Sequence, residues 1–247
     1  MTTPLLLVSG WAHTAEALQP LADRLARQYT VRALAVHDLG GLAMSNPSEL
    51  SDFAAGLCRE LQREQCPCVL VGWSMGGMIA LEAAAAFPER VAALVLISSA
   101  PRLAAALDFP HGVPPRVLRA MTLSFQLAPE RTLSEFFINA AFPHLLTPTV
   151  LREKVAAAMV LGADRLAEQL RYLTESDLRE AARRLTAPVL ILHGRPDRII
   201  PVGAASWIIE QRPGTEMITC NDSGHDFPLD EPDRVAEPIE HFLKHPG

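Results

Sequence analysis

Six short apolar runs recur along the chain, at residues 5–9, 31–36, 69–73, 91–98, 188–193 and 216–220. They have strand length, several β-branched residues and flanking Gly or Pro, and they read as strands buried on both faces. Between them, apolar positions fall at helical spacing over about 15–28, 48–65, 75–87, 202–211 and 232–243. Strand alternating with helix predicts an α/β fold, a mostly parallel sheet flanked by helices on both faces. Ligands of such sheets bind beyond the carboxyl ends of the strands, so chemistry is expected in those loops.

Residues 101–186 break the alternation. They hold no convincing strand, several helical patterns and the Pro/Gly-rich segment Phe109-Pro-His-Gly-Val-Pro-Pro115. This predicts a helical lid or cap at 101–186, inserted between the fourth and fifth visible strands, with 1–100 and 187–247 forming the core. A length of 247 residues suits one such domain.

Composition narrows the function. The 49% apolar content is enough for a packed core, yet no apolar run approaches the ~18–20 residues of a membrane span. Met1-Thr2-Thr3-Pro4 lacks the basic start of a signal peptide, and the apolar run at 5–8 is too short for its core, so a cytoplasmic location is expected. Cys66 and Cys68 are spaced C-x-C, Cys58 and Cys220 lie far away, and no zinc spacing surrounds them. Reduced thiols are expected. A net charge of −6 argues against nucleic acid as a partner.

The chemistry centres on Val69-Leu-Val-Gly-Trp-Ser-Met-Gly-Gly-Met78, which runs from a strand into a helix with Ser74 at the junction. G-x-S-x-G alone is weak, because three fixed positions at ~7% each arise by chance in roughly one chain of this length in ten. Its context is specific: a serine at a strand-to-helix turn is held in a strained conformation that lifts its hydroxyl clear of the sheet. Gly72 and Gly76 lack the side chains that would collide across that turn. A serine hydroxyl needs a base, and the base should be a histidine held by a carboxylate. Asp197 lies in the loop after the fifth strand and His225 in the loop after the sixth. Ser74, Asp197 and His225 are therefore the catalytic candidates. Asp222 and Asp226 sit too near His225 in sequence to orient its ring. His193 reads as a structural residue at a strand–turn junction, and His13 as a candidate substrate contact.

An oxyanion needs two preorganised donors. The backbone N–H groups of Trp11 and Met75 are the candidates, with Gly10 permitting close approach. The Trp11 side chain either walls an acyl pocket or simply packs. In the lid, Leu123, Phe125, Phe136, Phe137, Phe142 and Met159 are spaced as helix core, but a lid over a site must also present an apolar underside. The candidate substrate contacts are Trp11, Ser74, Met75, Phe136, Phe137, Asn139, Ala140 and His225. A medium-length aliphatic acyl group suits them better than a sugar.

Taken together, the strand–loop Leu-Leu-Val-Ser-Gly-Trp, the elbow at 72–77 and the acid and histidine loops resemble the α/β-hydrolase superfamily over the whole chain. Within it the likeness is greatest to the pimeloyl-acyl-carrier-protein methyl ester esterases of biotin synthesis. It rests on Gly10-Trp11, on Gly72-Trp-Ser-Met-Gly-Gly77, on Ser98-Ser-Ala-Pro101, on 108–118 and on 131–136. There are departures. Ser9 stands where that family has a histidine, Glu135 where it has a second arginine, and the chain starts at the first central strand, without the preceding hairpin. The resemblance implies a serine carboxylesterase acting on a methyl or other small alkyl ester of a short-to-medium acyl group, with no metal or organic cofactor. It also implies an acyl carrier protein as partner at the lid. Residues 101–186 carry 11 basic and 9 acidic residues against 11 and 19 elsewhere, so an acidic carrier would be steered to the lid. The candidate contacts there are Arg116, Arg119, Arg131, Arg152 and Lys154. A thioesterase, lactonase, carbon–carbon bond hydrolase or cofactor-free haloperoxidase would use the same triad. A non-catalytic binder would use the pocket without it.

Overall fold

A computed structural model describes residues 3–40 and 50–245. Its sheet has six strands in the order β2-β1-β3-β4-β5-β6, every neighbouring pair parallel. The strands are β1 (Leu5–Val8), β2 (Val31–Leu34), β3 (Cys68–Trp73), β4 (Val91–Ile97), β5 (Val189–Gly194) and β6 (Glu216–Cys220). Alternate residues of the central strands enter two separate cores. Leu6, Val8, Leu70, Leu94, Leu96 and Ile191 face one side, while Leu5, Leu7, Val71, Val95, Ile97 and Leu192 face the other. Side chains alternate across a strand, so a sheet covered on both faces needs unbroken apolar runs, and the sequence has them.

The second core is closed by α1 (Gln19–Leu25), α10 (Phe227–Asp230) and α11 (Pro232–Lys244), and the first by α2 (Asp52–Arg63), α3 (Met75–Ala86) and α9 (Val202–Gln211). The helix expected at 15–28 is shorter, because Pro20 lacks the N–H that would bond back to residue 16. Ala15–Leu18 forms a 3-10 turn instead, with Pro20 in the first turn of α1. The helix expected at 48–65 begins at Asp52, where the Ser51 hydroxyl accepts the Ala54 N–H; positions 48 and 49 lie outside the described residues.

Five helices occupy the stretch between β4 and β5: α4 (Pro115–Leu127), α5 (Pro129–Ala141), α6 (Pro148–Val160), α7 (Ala163–Glu175) and α8 (Arg179–Arg184). Their buried residues, Phe125, Leu133, Phe137, Leu166 and Leu170 among them, continue the first core. Tyr172 on α7 donates to Glu82 on α3 (2.8 Å), and Glu82 in turn accepts from Ser51. These helices therefore join the rest of the chain through shared core and a polar tie. All four cysteines are unpaired. Among the described residues no helix is long and apolar enough to cross a membrane.

Candidate active site

Ser74 sits between β3 and α3 at φ 56°, ψ −121°, a left-handed conformation that costs a non-glycine residue on the order of 1–3 kcal/mol. The surroundings hold it there. A Cβ at Gly72 would lie 2.5 Å from the Gly76 carbonyl oxygen, and one at Gly76 would lie 2.3 Å from that of Val8. The Ser74 N–H donates to the Ile97 carbonyl (2.9 Å), and the Ser99 hydroxyl donates to the Ser74 carbonyl (2.8 Å). Two further non-glycine residues with positive φ, Ala12 and Ser98, flank the same strand ends, so backbone strain is gathered around this hydroxyl.

An imidazole lies beside the hydroxyl. Ser74 Oγ lies 2.9 Å from His225 Nε2, and His225 Nδ1 lies 2.8 Å from Asp197 Oδ2, all three side chains being buried. Each carboxylate oxygen of Asp197 is committed. Oδ1 accepts the N–H groups of Ile199 (2.8 Å) and Ile200 (2.9 Å). Oδ2 faces His225 and also His193, whose Nε2 is 3.4 Å away and donates to the Ile200 carbonyl at 2.9 Å. Burial favours the neutral carboxyl, but the His225 charge and the hydrogen bonds from His193 and His225 outweigh it. Asp197 is thus held below the usual carboxylate range. Burial pushes His225 down, and the charge and hydrogen bond of Asp197 more than reverse this, raising it above an ordinary imidazole. The histidine loop is itself clamped: Trp73 Nε1 donates to the His225 carbonyl (3.0 Å), and the Asp226 N–H donates to the Ala140 carbonyl of α5 (3.1 Å).

Trp11, in the loop after β1, and Met75, the first residue of α3, flank Ser74. Neither N–H donates to a loop carbonyl or a side chain among the described residues, so both remain available to an oxyanion. Ser9 shapes the first loop, donating to the His13 carbonyl (3.1 Å) and accepting from Val36 N–H (3.4 Å). The Trp11 indole donates to the Leu166 carbonyl (2.9 Å) and meets Phe136 and Phe125 edge-on.

A cavity of about 320 Å³ opens on Ser74. Of the expected substrate contacts, Trp11, Phe136 and Asn139 line it with Ser74, while Phe137 and Ala140 do not. Phe137 is instead buried against His13, with Lys154 Nζ 5.5 Å from its ring centre, and Ala140 is wholly enclosed. Adjacent helix positions point about 100° apart, so one helix cannot aim Phe136 and Phe137 at the same space. Met75 and His225 also lie outside the lining. His13 does not line this cavity: its Nδ1–H donates to the Trp11 carbonyl (2.8 Å), and burial pushes its pKa down to about 4. Arg116, Arg119, Arg131 and Arg152 are exposed, Arg131 pairing with Glu135 at 3.1 Å. Lys154 differs, because it turns inward to the buried Asp226 (3.2 Å) and ties α6 to the histidine loop.

Sequence reasoning missed the aliphatic lining from Leu103, Val113, Leu118, Met121, Leu170 and Leu173, together with Arg198, Ile199 and Ile200 next to the acid. Leu118 and Met121 stand three apart on α4, an amphipathic signal that spacing gives, although spacing cannot say what the stripe faces. Ser99 had a signal too, as part of the Ser-Ser-x-Pro segment, but no role.

The family model described as "Alpha/beta hydrolase family" matches residues 5–237. The pimeloyl-[acyl-carrier protein] methyl ester esterase of Stenotrophomonas maltophilia is 31% identical over 243 residues, covering 97% of this chain and 92% of its own. The solved esterase EaEST from Exiguobacterium antarcticum superposes with a TM-score of 0.86 at 21% identity, over 99% of this chain and 93% of its own. A bromoperoxidase from Bacillus anthracis superposes with 0.83 at 19% identity, over 99% and 92%. Likeness at that identity speaks for the fold alone.

Proposed function

The chain belongs to the alpha/beta hydrolase family, and on that premise we propose that it is a serine carboxylesterase hydrolysing the methyl or other small alkyl ester of a short-to-medium acyl group. The observation that carries this reading is the unbroken relay from Asp197 through His225 to Ser74, opening on an apolar cavity. In the proposed reaction Ser74 Oγ attacks the ester carbonyl while its proton passes to His225 Nε2. Asp197 holds the imidazole in the tautomer that can accept that proton and stabilises the resulting cation. The N–H groups of Trp11 and Met75 receive the oxyanion, each such donor being worth about 3–4 kcal/mol in comparable sites. His225 then protonates the departing alcohol, and a water activated by the same histidine releases the acid and frees Ser74.

The preferred substrate is a pimeloyl-type methyl ester on an acyl carrier protein, with a role in biotin synthesis. Support comes from the name of the S. maltophilia relative and from the exposed Arg116, Arg119, Arg131 and Arg152 on the helices between β4 and β5, the lid of this reading. The test pairs kcat/KM for methyl esters and thioesters of matched chain length, free and carrier-linked, with restoration of biotin-independent growth in a strain lacking its own esterase. Faster methyl ester cleavage and restored growth are expected. Preference for thioesters, or no growth from a strain making active protein, contradicts the substrate.

A further inference from the structure

Arg198 follows Asp197 directly and lines the cavity that holds Ser74, yet it takes no part in the relay. Its guanidinium lies over the Phe142 ring, Cζ 3.3 Å from the ring centre, a separation that only flat stacking allows. Stacking occupies the face of the guanidinium and leaves its in-plane N–H donors free. Among the described residues no carboxylate pairs with it. The other charged side chain of the lining, Glu135, is engaged by Arg131 at 3.1 Å. The polar groups nearby are also spoken for: the Thr132 hydroxyl donates to the Ala128 carbonyl, and the Asn139 amide donates to the Glu135 carbonyl. The rest of the lining is largely aliphatic.

Arg198 is exposed, and an unpaired cation held by stacking where it lines a largely aliphatic cavity has a definite preference. A planar fork matches the two oxygens of a carboxylate or phosphate, and the ring beneath it has already limited the side-chain freedom that binding would otherwise cost. We propose that Arg198 selects esters whose far end, remote from the scissile bond, carries a carboxylate or a phosphate. This deepens the esterase reading above and rests on it. The apolar chain lies along Leu118, Met121 and Leu173, with its ester at Ser74 and its anionic end at Arg198.

Binding can be measured apart from turnover in Ser74→Ala, which leaves the ester intact. Calorimetry compares monomethyl pimelate, ending in a carboxylate, with methyl heptanoate, which is neutral, and with a methyl ester of similar length ending in a phosphate monoester. At least one charged ester is expected to bind about tenfold more tightly than the neutral one, as suits hydrogen bonds to a charged group. Adding Arg198→Gln should collapse that ratio to near one, and Arg198→Lys, which keeps the charge without the fork, should restore part of it. The anion showing the larger loss identifies the natural end group, free carboxylate or phosphate. Equal affinities for charged and neutral esters, or a preference that survives Arg198→Gln, overturns the proposal. Turnover of methyl heptanoate by the wild-type protein judges the esterase reading separately. If that turnover is absent while the binding ratio still depends on Arg198, the esterase reading fails and the anion site stands.

Discussion

Replacing Asp197 by Asn tests the relay at its least replaceable point. The two carboxylate oxygens are not equivalent: Oδ1 accepts the N–H groups of Ile199 and Ile200, whereas Oδ2 faces the Nδ1 of His225 and the Nε2 of His193. An asparagine must keep its one oxygen on the two backbone donors, since turning it would aim an NH2 group at two N–H groups. Its amide nitrogen therefore faces His225, and Nδ1 becomes an acceptor. The ring proton moves to Nε2, 2.9 Å from Ser74 Oγ, where a base must be free to accept. The geometry survives with the wrong tautomer. Comparable substitutions lower kcat by about 10⁴, or about 5 kcal/mol of barrier. The assay is kcat for a p-nitrophenyl ester in Asp197→Asn and wild type, with circular dichroism to establish that both are folded. A folded variant within tenfold of wild type would refute the argument that Asp197 sets the tautomer.

Two predictions follow from the surrounding charges. His225 must be neutral to accept the Ser74 proton, and because its pKa lies above the 6.5 of a free imidazole, kcat/KM should fall with loss of one proton-dependent step as pH drops through a value above 6.5. A rate profile flat down to pH 6 would contradict this. Lys154→Met should destabilise the fold by about 3 kcal/mol, because Asp226, only 2% exposed, loses its cation, and adding Asp226→Leu should recover most of the loss. Urea unfolding measures both, and a single variant within 1 kcal/mol of wild type, by roughly the scale of ordinary surface substitutions, would show that the pair adds nothing.

The parallel sheet was legible because both of its faces are buried, which forces unbroken apolar runs whose ends came within two residues of the strands. That Ser74, Asp197 and His225 come together was legible because each lies at or within a few residues of the carboxyl end of a strand, where local sequence dictates position. What lay hidden depends on direction. Spacing placed Phe137 and Lys154 on the helices between β4 and β5 without saying that one packs on His13 and the other turns inward to Asp226. Arg198 gave no signal because stacking on Phe142 joins residues 56 positions apart in sequence. The role of His193 was half visible: it is structural, as its place at a strand–turn junction suggested, but what it supports is Asp197 itself.

The central claim is that Ser74 is a nucleophile activated by His225. Intact-mass spectrometry after treatment with a fluorophosphonate measures this directly, since the probe bonds only to an activated hydroxyl. One adduct per chain is expected, mapped to Ser74, absent in Ser74→Ala and strongly slowed in His225→Ala. An unlabelled wild-type protein, or an adduct that persists in Ser74→Ala, would contradict it.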